Sequence, residues 1–353
     1  ALFGILLIAS ATNYTGSLRY VIVQSIALVL GVALYAFFTF VDVEEASEKW
    51  KWIFAFNVVF ILLLLSPLGV DPVQSGGNRA WLSIPGFPMD IQPSEIVKVT
   101  FTILLAKQLA YYQEHELSSI RSVAFYSGHF LFMVCLLYAI SSDAGSCLVY
   151  VAIFVCMTFA AGVKLRWFVL GGAGVTGAFL LAWFQGWIPS YMQQRIEVIL
   201  DHSLYPMGAG WHQGRSIIAF GSGGWFGQGL FHGTQTQSDS SSLPARHTDF
   251  IFSVAGEELG YIGCIAIIVL LVAIILRCLV VARQAKTPMG ALICVGFAAM
   301  LGFQMLENIG MCIFVMPVIG LTLPFFSYGG SSLLTAFGGV GIVMSMKQEK
   351  LGG

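Results

Sequence analysis

The chain has 353 residues, of which 57% are hydrophobic and only 10% are charged, with a mean hydropathy of +0.83. Because soluble domains carry about 25% charged residues, the composition excludes a soluble globular protein and predicts an all-α polytopic membrane protein. The net charge is −1 and no basic tract is present, so nothing in the sequence suggests a nucleic-acid partner.

Apolar runs predict ten transmembrane helices. They cover residues 1–11, 18–40, 50–68, 96–110, 123–140, 145–163, 167–184, 250–279, 291–314 and 331–346. The first run is too short to cross about 30 Å of hydrocarbon with ease. It has neither a basic segment before it nor a convincing cleavage site, so we expect a trimmed first span rather than a signal peptide.

The distribution of basic residues predicts the orientation of these spans. Of the 17 Lys and Arg residues, eleven fall in one alternating set of loops, five fall in the other, and Lys98 lies inside a span. The positive-inside rule places the first set of loops, and both termini, in the cytoplasm. We therefore expect one transmembrane domain over residues 1–353, with a large extracytoplasmic loop, residues 186–249, between helices 7 and 8.

Two segments of this outer loop have distinct patterns. Residues 191–200 combine apolar positions with charged ones at helical spacing, which predicts a short helix lying on the membrane surface. Residues 216–230 form an apolar run interrupted by five glycines, which predicts a re-entrant or cavity-lining segment. A second outer loop, residues 69–92, is rich in Gly, Pro and aromatic residues.

Cysteine and histidine give little sign of metal binding. The seven cysteines all fall in apolar stretches and form no C-x-x-C pair, so we expect small buried hydrophobes rather than disulfides or metal ligands. Four histidines are scattered over the long outer loop at no spacing typical of a zinc site, namely His202, His212, His232 and His247.

The fourth span opens with the sequence Q-P-S-E-I-V-K from Gln92. Pro93 in the first turn and Ser94 as a cap predict a helix start. Glu95 and Lys98 are three residues apart, so their charges share a face and can pair. Either the pair neutralises itself and keeps the helix in register, or it faces a polar cavity and positions a ligand there.

A polar loop runs into the eighth span over residues 243–260, and it contains Arg246, His247 and Asp249. A carboxylate at the mouth of a membrane helix is costly to keep there and chemically useful, although Asp249 or Thr248 could also simply cap the helix. The adjacent Glu257 and Glu258, two turns deeper, cannot both face lipid. Glu307 and Asn308 invite the same argument more weakly.

The segment P-V-I-G-L-T-L-P-F-F-S-Y-G-G-S-S from Pro317 cannot form a continuous helix, because proline and glycine interrupt it. Ser331 and Ser332 can cap the last span and leave N–H groups that suit an anion. Asp143, between the fifth and sixth spans, is predicted to cap the sixth. These patterns fit a transporter as well as an enzyme acting on a lipid-linked substrate.

Several of these motifs, in the same order, resemble the SEDS family (shape, elongation, division and sporulation proteins). They are N-R-A-W-L from Asn78, Q-P-S-E-I-V-K from Gln92, G-S-G-G-W-F-G-Q-G-L from Gly221, G-T-Q-T-Q from Gly233, H-T-D-F-I-F from His247, G-E-E-L-G from Gly256 and L-P-F-F-S-Y-G-G-S-S from Leu323. The N-I-G-M run from Asn308 favours the RodA branch mildly. Two features depart from the family pattern: Phe314, where a small residue is usual, and the serines over 238–242.

The resemblance implies a peptidoglycan glycosyltransferase that polymerises lipid II at the outer face of the bacterial inner membrane. It implies an essential aspartate at Asp249, functional charges at Glu95 and Lys98, and a class B penicillin-binding protein as partner. A lipid II flippase is the main alternative, because transporters also use intramembrane charges and broken helices. A structural scaffold would leave Asp249 dispensable.

For the glycosyltransferase, we expect one inverting displacement. Asp249 would take the acceptor proton, or hold a divalent cation such as Mg²⁺ or Mn²⁺ on the diphosphate. A helix N-terminus would lower the pKa of Asp249 and make it a weak base. Arg246 or Arg215, and less favourably Arg79, could bind the diphosphate because Arg suits bidentate phosphate contact.

Overall fold

The computed structural model describes residues 1–71, 79–205, 207, 210–238 and 242–347. Within these residues the chain forms thirteen α-helices. They are α1 (Leu2–Thr12), α2 (Arg19–Phe40), α3 (Val43–Ser47), α4 (Trp50–Leu62), α5 (Pro93–Glu114), α6 (Ile120–Ser141), α7 (Ala144–Ala161), α8 (Leu165–Phe184), α9 (Ser190–Leu200), α10 (Trp211–Gly223), α11 (Ile251–Gln284), α12 (Pro288–Cys312) and α13 (Gly330–Ser345). Two short strands, β1 (Gly69–Val70) and β2 (Trp81–Leu82), pair antiparallel in the loop before α5.

The helices confirm an all-α membrane protein. Six of them in the described part of the chain, α2, α6, α7, α8, α11 and α12, are long and apolar enough to cross a membrane. The other four predicted spans coincide with α1, α4, α5 and α13, which are either shorter or more polar. Every predicted span therefore corresponds to a helix, whereas the number of membrane crossings stays a prediction.

Helix α5, which is 22 residues long and more polar than those six helices, lies at the centre of the bundle. It contacts α4, α6, α7, α12 and α13. Twelve of its 22 residues are buried, including Glu95 and Lys98. Because neighbouring helices surround it, α5 does not need a fully apolar surface. In contrast, α8 has no buried residue, and it meets the bundle at its N-terminal end, where Trp167 Nε1 donates to the Ser118 carbonyl over 3.0 Å.

The long outer loop contains two helices. The first, α9, matches the short helix predicted over residues 191–200. The segment over residues 216–230 was predicted to be re-entrant or cavity-lining, and α10 extends through its first half to Gly223. This first half packs as a helix against α11 and α12. The second half, residues 224–230, is irregular and lies against α11.

The helix α11 is interrupted at Gly260, whose φ of 67° and ψ of −166° are not helical. The irregular segment after α10 supplies hydrogen bonds there: Gln228 N donates to the Glu257 carbonyl (2.9 Å), and Tyr261 N donates to the Gly224 carbonyl (3.0 Å). A Cβ on Gly227 would lie 2.1 Å from the Glu258 carbonyl oxygen, so only glycine permits this approach. The kink therefore fixes the outer loop to α11.

Candidate active site

A cavity of about 860 Å³ opens beneath the outer loop. It is bordered by the β1–β2 loop, the N-terminal ends of α5 and α7, the helices α9 and α10, and the segments over residues 245–250 and 318–330. Its acidic, basic and histidine lining residues are Asp71, Asp90, Glu95, Asp143, Arg195, His212, His247 and Asp249. The cavity thus brings Asp249 and Glu95 together, as the sequence predicted for a polar site.

Asp249 lies two residues before α11 and keeps part of its side chain exposed to the cavity. Its carboxyl faces Gly320, where a Cβ would lie 3.6 Å from Asp249 Oδ2. In the described residues no side chain caps the start of α11, and the Thr248 hydroxyl instead donates to the Ala245 carbonyl. The structure therefore does not support the alternative that Asp249 or Thr248 serves only as a helix cap.

The environment of Asp249 makes it a better base than the sequence suggested. Burial raises the pKa of Asp249 to about 6, against the Thr248 hydroxyl and the Arg195 charge, which lower it. The helix N-terminus was expected to lower this pKa, whereas the net shift is upward. Loss of water around the carboxylate is the larger effect, because desolvation disfavours the charged form. A pKa near 6 leaves most Asp249 ionised at neutral pH and still able to accept a proton.

Asn308 of α12 holds the backbone of Asp249. Its Nδ2 donates to the Asp249 carbonyl over 2.8 Å and to the Leu321 carbonyl over 2.7 Å. The side chain is fully buried. Asn308 thus joins the loop before α11 to the segment before α13. The position of Asn308 in an apolar span is only a weak signal, because the register between α12 and two distant loops cannot be read from one sequence.

The predicted pair on α5 is present. Lys98 Nζ donates to Glu95 Oε1 over 2.6 Å, and Lys98 is completely buried. Glu95 lines the cavity, whereas Lys98 is not among the described lining residues. The pair is therefore self-neutralising and also presents a carboxylate to the cavity. Ser94 was predicted as the helix cap, but Gln92 occupies the N-cap position, and the Ser94 hydroxyl contacts Ser146 on α7 instead.

Asp143 caps α7 and also lines the cavity. It caps α7 as predicted, since it accepts from Ser146 N over 2.9 Å and from Ser146 Oγ over 2.6 Å. Gln92 Nε2 donates over 3.0 Å to Asp143 Oδ2, the oxygen that also accepts from Ser146 Oγ. No local pattern predicts that this cap faces the same cavity as Asp249, because the contact depends on how α5 packs against α7.

Ser331 and Ser332 do not cap α13, so that expectation was wrong. The helix begins at Gly330 with Gly329 at its N-cap position. Ser331 Oγ accepts from Gln92 N and donates to the Asp90 carbonyl, both over 3.1 Å. Ser332 Oγ lies 3.0 Å from Thr322 Oγ1. The two hydroxyls hold neighbouring loops together, and the backbone of Gly329 and Gly330 lines the cavity in their place.

The three arginines predicted to bind a diphosphate lie away from the cavity lining in the described part of the chain. Arg246 is buried and donates to backbone carbonyls. The guanidinium of Arg215 stacks 4.4 Å above the Trp211 ring, and Arg79 is exposed. Arg195 of α9 lines the cavity instead, and its positive charge lowers the pKa of Asp249 and of His212.

Glu257 and Glu258 are both fully buried, in agreement with the argument that they cannot face lipid. They do not line the cavity within the described residues but bind the G-T-Q-T-Q segment from Gly233. Glu307 is also buried, and neither of its carboxyl oxygens has a hydrogen-bond partner among the described residues. Asn78 and residues 239–241, which belong to motifs singled out in the sequence, lie outside the described residues.

Candidate metal ligands do not cluster in the residues that the structure describes: no group of three His, Cys, Asp or Glu side chains is placed to hold an ion. The carboxylates of the cavity lie on separate segments, and several are already hydrogen-bonded. A divalent cation at Asp249 would therefore need oxygen ligands from the substrate and water, as Mg²⁺ sites on phosphorylated substrates do.

Curated relatives resemble almost the whole chain. A protein named probable peptidoglycan glycosyltransferase FtsW, from Geobacter sp. strain M18, is 31% identical over 99% of this chain and 94% of its own length. The peptidoglycan glycosyltransferase MrdB of Escherichia coli K12 is 35% identical over 83% of this chain and 77% of its own length.

Solved structures share the fold. A chain from a peptidoglycan synthase complex, studied for the coordination of polymerization and crosslinking, superposes with a TM-score of 0.77 at 27% identity, covering 97% of this chain and 95% of that one. The rod shape determining protein RodA of Thermus thermophilus superposes with a TM-score of 0.69 at 26% identity, covering 99% and 94%. The cell cycle protein model for FtsW, RodA and SpoVE matches residues 1–351. This chain therefore belongs to the FtsW/RodA/SpoVE family.

Proposed function

We propose that this chain is a peptidoglycan glycosyltransferase that polymerises lipid II at the outer face of the bacterial cytoplasmic membrane. The observation that carries the proposal is the place of Asp249, a carboxylate with a pKa near 6 in a polar cavity of about 860 Å³ beneath the outer loop. The names of the relatives from Geobacter and Escherichia coli support the same activity.

In the proposed reaction, Asp249 accepts the proton of the acceptor sugar hydroxyl. That oxygen forms a bond to the anomeric carbon of the donor sugar, while the bond from this carbon to the diphosphate oxygen breaks. The diphosphate leaves with the electron pair. A single displacement inverts the α-linked donor into a β-linked product. A base with a pKa close to the working pH suits this proton transfer.

Arg195 is the residue we assign to the diphosphate. It is the arginine that the structure places on the cavity, and its guanidinium can donate two parallel hydrogen bonds to phosphate oxygens. Five carboxylates line the same cavity, so one arginine cannot neutralise both them and a diphosphate. In the alternative to the base role, Asp249 instead would hold a Mg²⁺ or Mn²⁺ ion together with substrate oxygens, and that ion would supply the missing charge when bound.

The membrane arrangement and the partner are part of the proposal. We place both termini in the cytoplasm, because eleven of the loop Lys and Arg residues lie on that side. A class B penicillin-binding protein is the proposed partner, supported by the fold shared with a chain of a complex that couples polymerization to crosslinking.

The test is polymerisation of labelled lipid II by the purified chain with its cognate transpeptidase. We expect Asp249→Ala to abolish long glycan strands while the protein stays monodisperse and folded. Asp201→Ala is the matched control, since Asp201 is an exposed aspartate of the same outer loop that binds Ser203. Long strands from the Asp249→Ala variant would show that the assignment is wrong, and a chelator series would test the divalent cation.

A further inference from the structure

The segment that carries the G-T-Q-T-Q motif lies against two buried carboxylates of α11. Glu257 accepts hydrogen bonds from Gln235 N (2.7 Å), Thr236 N (2.8 Å) and Thr236 Oγ1 (2.7 Å). Glu258 accepts from Gln237 Nε2 over 2.9 Å. Hydrogen bonds to a charged acceptor are about twice as strong as neutral ones. The two glutamates therefore fix the inner side of this segment to the membrane helix.

Arg246 binds the outer side of the same segment. It is 1% exposed, and its guanidinium lies 4.3 Å above the ring of Tyr14. Nε donates to the Leu243 carbonyl over 2.9 Å. Nη1 donates to the carbonyls of Thr236 and, over 2.9 Å, of Ser238. The planar guanidinium thus gathers carbonyls from two stretches of chain, which a lysine ammonium with its flexible stem cannot reproduce.

Thr236 is the residue on which the two sets of contacts meet. Its amide and hydroxyl bind Glu257, and its carbonyl binds Arg246. The side chain is completely buried. A continuous chain of hydrogen bonds therefore runs from Glu257 through Thr236 to Arg246, which is three residues before Asp249.

The other side of the Asp249 loop is held by α12 and by the segment between α12 and α13. Three successive carbonyls accept hydrogen bonds from different donors. The His247 carbonyl accepts from Tyr328 N over 2.8 Å, the Thr248 carbonyl accepts from Ser327 Oγ over 2.6 Å, and the Asp249 carbonyl accepts from Asn308 Nδ2 over 2.8 Å. The backbone that carries Asp249 is therefore fixed from both sides.

We infer that Arg246 is a positioning residue for Asp249 and does not bind the substrate. It acts through the chain of hydrogen bonds to Thr236 and Glu257, which fixes the loop from which the Asp249 carboxylate projects into the cavity. This inference rests on the proposed function of Asp249 as the catalytic base. It differs from the assignment of Arg246 to the diphosphate, because a buried guanidinium bound to carbonyls cannot also reach a ligand.

If Arg246 positions Asp249, loss of its guanidinium should lower the turnover number and leave the affinity for the substrate unchanged. A loop that is misplaced by about 1 Å can cost on the order of a hundredfold in rate, so Arg246→Gln should lower kcat at least tenfold. The KM for lipid II and the inhibition constant of undecaprenyl diphosphate should stay within about twofold. Arg246→Lys should be as impaired in kcat as Arg246→Gln, whereas at a diphosphate-binding residue lysine would keep the positive charge and so part of the affinity for the diphosphate.

The experiment measures kcat, KM and this inhibition constant for the full chain with its cognate transpeptidase. Thr236→Val is the milder variant, because it removes the hydroxyl contact to Glu257 and keeps the carbonyl contact to Arg246. We expect it to lower kcat less than Arg246→Gln. Arg283→Gln, at the far end of α11, is the matched loss of charge and should leave kcat unchanged.

The effects of Arg246→Gln and Glu257→Gln should be non-additive, because both break the same chain of hydrogen bonds. Thermal unfolding of each variant separates a misplaced loop from an unfolded protein. A rise in KM and in the inhibition constant, with rescue by Arg246→Lys, would overturn the positioning role and return Arg246 to the diphosphate. Absence of polymer from the wild type would instead contradict the proposed function itself.

Discussion

At the residue scale, two arginines lie near Asp249 in different environments. Arg195 lines the same cavity, and its positive charge lowers the pKa that burial of Asp249 raises. Arg246 is buried and donates to backbone carbonyls of the outer loop. The charge of Arg195 can therefore act on the Asp249 carboxyl, whereas Arg246 acts on the backbone that carries it.

The pH dependence of activity should follow Asp249. Its carboxyl must be ionised to accept a proton, and burial raises its pKa to about 6. We expect kcat/KM to be level above pH 7 and to fall about tenfold per unit below pH 6. The positive charge of Arg195 lowers this pKa, so Arg195→Gln should move the acidic limb to higher pH. If the acidic limb stays at the same pH in Arg195→Gln, the charge of Arg195 does not act on the Asp249 carboxyl.

Glu307 offers a test of stability at a single site. Both of its carboxyl oxygens are buried without a hydrogen-bond partner in the described residues. An unsatisfied buried polar group costs about 1–3 kcal/mol. We therefore expect Glu307→Met to raise the free energy of unfolding and the melting temperature, measured by thermal unfolding in detergent. A lower melting temperature would show that Glu307 has a partner that stabilises the fold.

Phe314 is one of the two departures from the family pattern, since a small residue is usual at this position. Its φ of 64° lies in the left-handed region, where glycine is favoured and a bulky residue is strained. The ring stacks on His202, with 4.1 Å between the ring centroids. This contact between the end of α12 and the outer loop offsets part of the backbone strain.

At the scale of elements, apolar periodicity located the helices well and their interruptions less well. Each predicted span corresponds to a helix, because runs of this length have few other structures open to them in a membrane. Residues 216–223 form part of α10 despite two glycines, Gly221 and Gly223. Packing against α11 and α12 outweighs the low helix propensity of glycine there.

Two glycines of this region should respond to alanine in opposite directions. Gly227 has a φ of 79°, and a Cβ there would lie 2.1 Å from a carbonyl oxygen of α11. Gly221 lies inside α10, and a Cβ there would meet no described atom within 4 Å. Gly227→Ala should therefore lower the melting temperature strongly, whereas Gly221→Ala should stabilise by about 0.5–1 kcal/mol. Equal effects in thermal unfolding would contradict the close approach of residues 224–230 to α11.

At the scale of the whole molecule, segments that are far apart in the sequence close around one cavity. They come from the β1–β2 loop, α5, α7, the helices of the outer loop, the start of α11 and the segment before α13. The sequence predicted polar functional residues on several of these segments but not that Asp143, Arg195 and His212 would meet Asp249. Those meetings depend on helix packing, which no local pattern encodes. Membership of the FtsW/RodA/SpoVE family agrees with the fold as a whole.

The most direct test of the account compares wild type with Asp249→Asn, which keeps the size of the side chain and removes its capacity to accept the proton. Glycan length is measured by gel after incubation of each protein and its transpeptidase with labelled lipid II. We predict long strands from the wild type and none from Asp249→Asn, although both bind undecaprenyl diphosphate equally. Strands of normal length from Asp249→Asn would contradict the central claim that this carboxylate drives sugar transfer.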